Sequence, residues 1–182
     1  MQYVAFMRGV SPSTPPRSNA NIVAAMKTMG FDSVVPVLSS GNYIFSTDDV
    51  TEDDGVASSI EKVLERELGV RVMTIVRRRD EIQRVIDNYP LINVPHGPSS
   101  YQLVTFFKRP VDIGFTLPYQ PAGTSFQLVA VIDGALITIS DNSPEGRGRT
   151  INLMGWLEKQ YTKDLTSRTP VTLQRILRNM GA

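Results

Sequence analysis

The chain has 182 residues, 41% of them hydrophobic, a net charge of +1 and no cysteine, which excludes a disulfide framework, a thiolate nucleophile and a sulfur metal site. Such a length holds one medium domain or two small ones, and the composition fits neither disorder nor a global pull toward nucleic acid. No run approaches the roughly 18 apolar residues of a membrane-spanning helix, and Met1 to Val10 lacks the features of a signal peptide, so no membrane association and a cytoplasmic location are expected.

Tyr3 to Arg8 reads as a strand, and Gly9 to Arg17, with Pro12, Pro15 and Pro16, as an exposed loop. Ser18 or Asn19 caps a helix in which Ile22, Val23, Met26 and Met29 recur at helical spacing, and Gly30 stops it. From Val34 to Thr47 two strand patterns flank Ser39-Ser40-Gly41-Asn42, a hairpin in which Gly41 is expected to take a positive φ. Thr51 to Asp54 resembles a capping box, and Val56, Ile60, Val63, Leu64 and Leu68 form the stripe of a helix that Gly69 ends. Val70 to Val76 alternates as a strand, and Asp80 to Ile86 begins a short helix.

Tyr89 to Ser100, with Pro90, Pro95, Gly97 and Pro98, reads as a linker. Beyond it Tyr101 to Phe107 is a strand, and Pro110 to Gly123 holds too much proline and glycine for a helix. Ser125 to Ile132 and Ala135 to Ser140 flank Asp133-Gly134, the dipeptide of a two-residue hairpin turn. Ile151 to Tyr161 is helical, Leu165 to Arg168 a short strand, and Thr169-Pro170 opens a last helix from Val171 to Met180.

The element order of the first half recurs in the second, and so do residues. Arg77 followed by Ile82-Gln83-Arg84-Val85-Ile86 has its counterpart in Arg168 followed by Leu173-Gln174-Arg175-Ile176-Leu177. The expected fold class is α+β: two tandem ferredoxin-like (βαββαβ) sandwiches from an internal duplication, each with a trailing helix. The first subdomain spans residues 1–90 and the second 100–182, with the linker at about 89–100.

Tyr3-Val4-Ala5, Arg8-Gly9-Val10, Ser40-Gly41-Asn42, the Gly146 to Thr150 turn and Thr166 to Ile176, in this order and spacing, resemble the bacterial DUF1697 family over essentially the whole chain. The resemblance implies a pair of ferredoxin-like subdomains and no established activity. Members usually carry a glycine-rich loop after the first strand, where Ser11 to Arg17 is proline-rich here. They also tend to have a lysine just after the position of Thr150, where this chain has Ile151.

Among candidate sites, Asn142 to Thr150 combines two glycines, two arginines and a helix start. Amides freed by Gly146 and Gly148 could hold a phosphate or carboxylate with Arg147 and Arg149, although the lysine and glycine spacing of a Walker loop are missing. The alternative is a plain hairpin-to-helix connection with solvated arginines. Arg77, Arg78 and Arg79 read as a solvated strand end or, with Arg84, a patch for an acidic partner. From Glu145 onward seven basic residues (Arg147, Arg149, Lys159, Lys163, Arg168, Arg175, Arg178) face three acidic ones.

Tyr43 and Phe45 stand where RNA-recognition domains place stacking aromatics, but the surrounding signature fails, and both faces of the sheet read as apolar and therefore covered. Asp48, Asp49, Glu52, Asp53 and Asp54 miss the calcium-loop spacing and suit helix capping. His96 is the sole histidine, in the linker, and Trp156 and Tyr161 read as core. The reading is a non-enzymatic protein that binds an anionic small molecule, or weakly a nucleic acid, through its basic second half. It carries no cofactor or metal and is a monomer or weak homodimer. The ligand-binding residues are Arg8, Gly146, Arg147, Gly148, Arg149 and Thr150. One alternative is an enzyme acting on a phosphorylated small molecule in a cleft between the subdomains, with Arg8, Arg147 and Arg149 as clamps and no base identified. The other is a structural or protein-interaction module.

Overall fold

The computed structural model of the chain describes residues 1–10, 15–38, 41–48, 53–147 and 152–181. Two compact units divide the chain, Met1–Gln83 together with Gln174–Ala182, and Arg84–Leu173. Together they are a mixed α and β structure with two four-stranded antiparallel sheets.

The first unit runs β1 (Gln2–Met7), α1 (Asn19–Lys27), β2 (Asp32–Pro36), β3 (Asn42–Ser46), α2 (Asp53–Leu68), β4 (Thr74–Arg78) and the start of α3 (Arg79–Asp87), with the strands ordered β2-β3-β1-β4. Ser18 starts α1 as the sequence predicts, its side chain accepting from the Asn21 amide at 3.3 Å. Strand alternation turns Tyr3, Ala5 and Met7 of β1, with Tyr43, Phe45 and Val76, toward Ile22 and Met26 of α1 and Val56, Ile60 and Leu64 of α2. Burying each of the larger of these side chains stabilises the unit by about 1.5 to 3 kcal/mol. Val4, Phe6, Ile44 and Ile75, on the opposite face, are buried too, in keeping with a sheet that is apolar on both sides.

Two local findings refine the sequence reading. The strand expected over Val70 to Val76 begins only at Thr74 and runs on through Arg78, because its ladder is set by β1, from Met7 opposite Thr74 to Tyr3 opposite Arg78. Val70 and Val72 are buried without joining that ladder. At the hairpin, Gly41 takes φ +70°, and its carbonyl accepts from the Met7 amide at 2.7 Å. A Cβ added there would stand 2.5 Å from the Met7 carbonyl oxygen, so the backbone itself excludes a side chain. Ser39 and Ser40 of this turn lie outside the described residues.

The second unit contains β5 (Tyr101–Phe107), β6 (Phe126–Ile132), β7 (Ala135–Ser140), α4 (Pro144–Arg147), α5 (Leu153–Gln160) and β8 (Leu165–Arg168), ordered β6-β7-β5-β8. The last helix, α6 (Pro170–Met180), is divided by the unit boundary. Asp133 and Gly134 turn the β6–β7 hairpin with φ of 47° and 73°, the pair of positive values that a two-residue primed turn requires. In register, Val4 faces Ile44 and Arg77, and Val104 faces Ile137 and Arg168.

The second half departs from the expected βαββαβ order, since no helix forms between β5 and β6 among the described residues. Instead Val111, Ile113, Phe115, Leu117 and Tyr119 alternate inward along the connecting segment and pack on the core of Phe107, Phe126, Leu157 and Leu165. Phe115 stacks on Tyr119 at 4.1 Å, the Tyr161 hydroxyl donates to the Ile113 carbonyl at 2.9 Å, and Tyr119 bridges the edge of β6 at Leu128.

The stretch expected as a linker is tied to β5 within the second unit. The Tyr89 hydroxyl donates to Gln102 Oε1 at 3.2 Å, Gln102 Nε2 donates to the Val94 carbonyl at 2.8 Å, and Ser100 bonds the Pro95 carbonyl. Among the described residues no helix is long and apolar enough to cross a membrane.

Candidate functional site

The second sheet carries a groove of about 450 Å³, lined by Tyr101 and Leu103 of β5, Ser140 and Asn142 at the end of β7, and Asn152, Leu153 and Met154 at the start of α5. Its polar rim is built by turns. Asn142 is held by its amide, which donates to the Pro98 carbonyl at 2.7 Å, and the Asp141 amide donates to the Ser125 carbonyl at 2.8 Å. The Asp141 carboxylate accepts from the Ser143 amide at 2.9 Å, and donation from the Ser143 side chain and backbone holds its pKa below the ordinary carboxylate value. Across the groove, the Asn152 side chain accepts from the Met154 amide at 3.0 Å and caps α5.

Ser140 lines the groove, and the same sheet face continues with further hydroxyls buried beyond it. Ser140 donates to the Tyr101 carbonyl at 3.3 Å, Thr138 to the Leu103 carbonyl at 3.5 Å, and Thr105 and Ser167 share a 2.7 Å hydrogen bond across strands. Ser167 also reaches Met154 Sδ at 3.2 Å. A shallower depression of about 230 Å³, lined by Ser99, Gln120, Ser125, Phe126, Gln127, Ile139, Ser140 and Asp141, shares Ser140 with the groove.

Of the residues singled out from sequence, Gly146 and Arg147 fall in α4, the four-residue helix that leaves the Asn142 side of the groove. Gly148, Arg149 and Thr150 lie outside the described residues, as does Ile151. Asn142, which opens that candidate stretch, and Asn152, just beyond it, line the groove. Arg8 belongs to the first unit, exposed after β1, where its amide donates to the Met73 carbonyl at 3.0 Å.

The basic residues counted from Glu145 onward are divided between the two units. Arg175 and Arg178 belong to the first unit, and Arg168 turns inward, its Nη1 donating to Thr166 Oγ1 at 2.7 Å and the Ser167 carbonyl at 2.8 Å. Burial pushes that guanidinium down to about 10. The second unit as a whole holds eight basic and seven acidic residues, and the first eleven of each. The charge of each unit is therefore close to balance.

Elsewhere the sequence candidates resolve into structure. Tyr43 and Phe45 are fully buried under the helices, with Phe45 stacked on Tyr3 at 5.5 Å and on Phe31 at 4.5 Å. The Tyr43 hydroxyl donates to Asn19 Oδ1 at 2.7 Å, and burial lifts its pKa to about 12. β4 closes at Arg78 and Arg79 already belongs to α3, so the arginine triplet spans two elements. His96 accepts from the Gln102 amide through Nδ1 at 3.2 Å and packs on Tyr101 at 4.8 Å. Of the acidic run, Asp49 and Glu52 lie outside the described residues, Asp48 is exposed, and Asp53 and Asp54 open α2. Among the described residues no three potential metal ligands cluster.

The groove itself is absent from the sequence reading. Its one sequence signal is a contrast between the halves. Counted from the valine that faces the arginine, Tyr3 corresponds to Leu103 and Phe45 to Thr138, so the second sheet carries smaller residues where the first is aromatic.

A comparison with curated proteins finds no match. Among solved structures, the conserved bacterial protein SP0830 from Streptococcus pneumoniae is similar over 100% of this chain and 98% of its own, with a TM-score of 0.72 at 13% identity, a likeness of fold. The family model described as "Protein of unknown function (DUF1697)" matches residues 1–124, more than half of the chain, and the protein therefore belongs to the DUF1697 family.

Proposed function

We propose that the protein is a non-enzymatic binding protein that takes an anionic small molecule into the groove between β5 and α5. The observation that carries this reading is the groove's rim: Asn142 and Asn152 line it, and the chain between them carries Gly146, Arg147, Gly148, Arg149 and Thr150. Arg147 and Arg149 supply the charge, and the asparagines and Ser140 supply donors and acceptors. A volume near 450 Å³ lies within the range of about 300 to 1,000 Å³ typical of small-ligand sites. The near balance of charge in the second unit favours a small anion over a nucleic acid.

Both units are read as ferredoxin-like folds descended from an internal duplication. Supporting this are the matching strand orders, the valine–arginine pairs Val4–Arg77 and Val104–Arg168, and the glycines three residues before Ile44 and Ile137. The second copy has replaced its first helix with the extended segment of residues 108–125. A cytosolic location accords with a chain free of cysteine.

Calorimetric titration of the full chain with tripolyphosphate and mononucleotides at low salt tests the reading. Affinity is expected to fall as salt rises and to drop at least about tenfold in the Arg147→Ala, Arg149→Ala double variant. Undiminished binding in that variant, or a preference for long single-stranded nucleic acid over small anions, refutes it.

A further inference from the structure

We infer that the groove's ligand carries a flat aromatic ring beside its anionic group, seated on Leu103 and Tyr101. The inference rests on the anion-binding reading above and adds the half of the ligand that the charge does not address. It comes from comparing like positions of the two sheets. In the first, the place of Leu103 is held by Tyr3, which is fully buried, stacked on Phe45 at 5.5 Å, and donates its hydroxyl to Met1 Sδ at 3.2 Å. In the second, Leu103 stands there and lines the groove, while Thr138, in the place of Phe45, is fully buried and does not reach it. The ring that closes the first sheet has no counterpart at Leu103, and the groove lies beside that place.

In the first unit the like place is filled by the Tyr3 ring, packed among apolar side chains and stacked on Phe45. The second unit offers the same apolar contacts from Leu103, Leu153 and Met154, and the Tyr101 ring adds an aromatic face. Hydroxyl and amide groups at Ser140, Asn142 and Asn152 ring this floor and suit the edge heteroatoms of a heterocycle better than a hydrocarbon ring. The chemical class is therefore an aromatic heterocycle bearing a phosphate or carboxylate, of which a mononucleotide is the simplest probe.

Three probes separate this inference from the one beneath it: tripolyphosphate, ribose 5-phosphate and a set of mononucleotides, each titrated into the full chain. The nucleotides are expected to bind at least about tenfold more tightly than ribose 5-phosphate. Leu103→Tyr, which restores the side chain of the first sheet, is expected to abolish that preference, bringing nucleotides down to the affinity of ribose 5-phosphate. Should Leu103→Tyr fail to fold, Tyr101→Ala decides, since it removes the aromatic face and is expected to cut the nucleotide preference. Equal binding of ribose 5-phosphate and nucleotides overturns the ring and leaves the anion reading standing. A nucleotide preference that survives both variants overturns its location, and no binding of any probe overturns both readings.

Discussion

The first sheet and the second share a strand order and differ in what lies over them. Over the first, α1 and the 16-residue α2 cover a surface of large apolar side chains, and an aromatic stack of Tyr3, Phe45 and Phe31 closes the end where β1 begins. Over the second, an 8-residue α5 and an extended segment share the work, and Thr105, Thr138 and Ser167 take the places of Ala5, Phe45 and Val76. A surface that needs only to be stable is filled with close-packed apolar groups. A surface that gives up packing for hydroxyls and open volume breaks the local rules of stability, and such breaks gather at functional sites.

The contrast is sharpest at Phe45 and its counterpart. Phe45→Ala is expected to destabilise the protein by about 3 to 5 kcal/mol, because it empties a fully buried site between two stacked rings. Thr138→Ala, at the matching position, is expected to cost only about 1 kcal/mol, the worth of a long hydrogen bond. Urea denaturation of the two variants measures the difference, and equal losses would show that the second face is as tightly packed as the first.

The hairpin glycines give the next largest effect. Gly41 and Gly134 hold like positions and like angles, φ +70° and +73°, but an added Cβ meets the Met7 carbonyl at 2.5 Å in the first and nothing within 4 Å in the second. Gly41→Ala is expected to cost about 3 kcal/mol or more and Gly134→Ala about 1 kcal/mol, since only the former adds a clash to the left-handed strain. Matching losses would mean that the angle alone matters and that the two turns are equally open.

Smallest is the effect of Asp141, whose turn anchors the groove's rim. Its pKa is lowered by donation from Ser143, so the stability it contributes is present above the ordinary carboxylate pKa and is lost as pH falls through the lowered one. Asp141→Asn is expected to narrow the stability difference between neutral and acid pH slightly. Thermal melting from pH 7 down to pH 3 checks this, and a variant whose pH profile overlays that of the parent removes the anchor from the account.

Much of the fold was legible because it rests on local rules. Ser18 caps α1, Asp133-Gly134 turns β6 into β7, and Thr169 Oγ1 accepts from the Thr172 amide behind Pro170 at the start of α6. Long-range pairing was not legible, and so the ladder of β4 slid from Val70–Val76 to Thr74–Arg78. In the segment from Val111 to Tyr119 the prolines and glycines overlie a period-two alternation of apolar residues, which is the signal of an extended stretch on a core. For the candidate site, sequence pointed to the loop and missed the groove, because a cavity arises from shorter and smaller elements and no motif marks what is missing.

The first unit draws its residues from both ends of the chain, and this bears on how the protein is made. Ile176, Leu177 and Met180 are buried side chains of the stretch that returns to it. A ribosome that has finished Gln83 must still translate the whole second unit, on the order of ten seconds of synthesis, before those residues exist. The unit encoded later is therefore complete first, and the unit encoded first lacks the residues Gln174–Ala182 until they too are made.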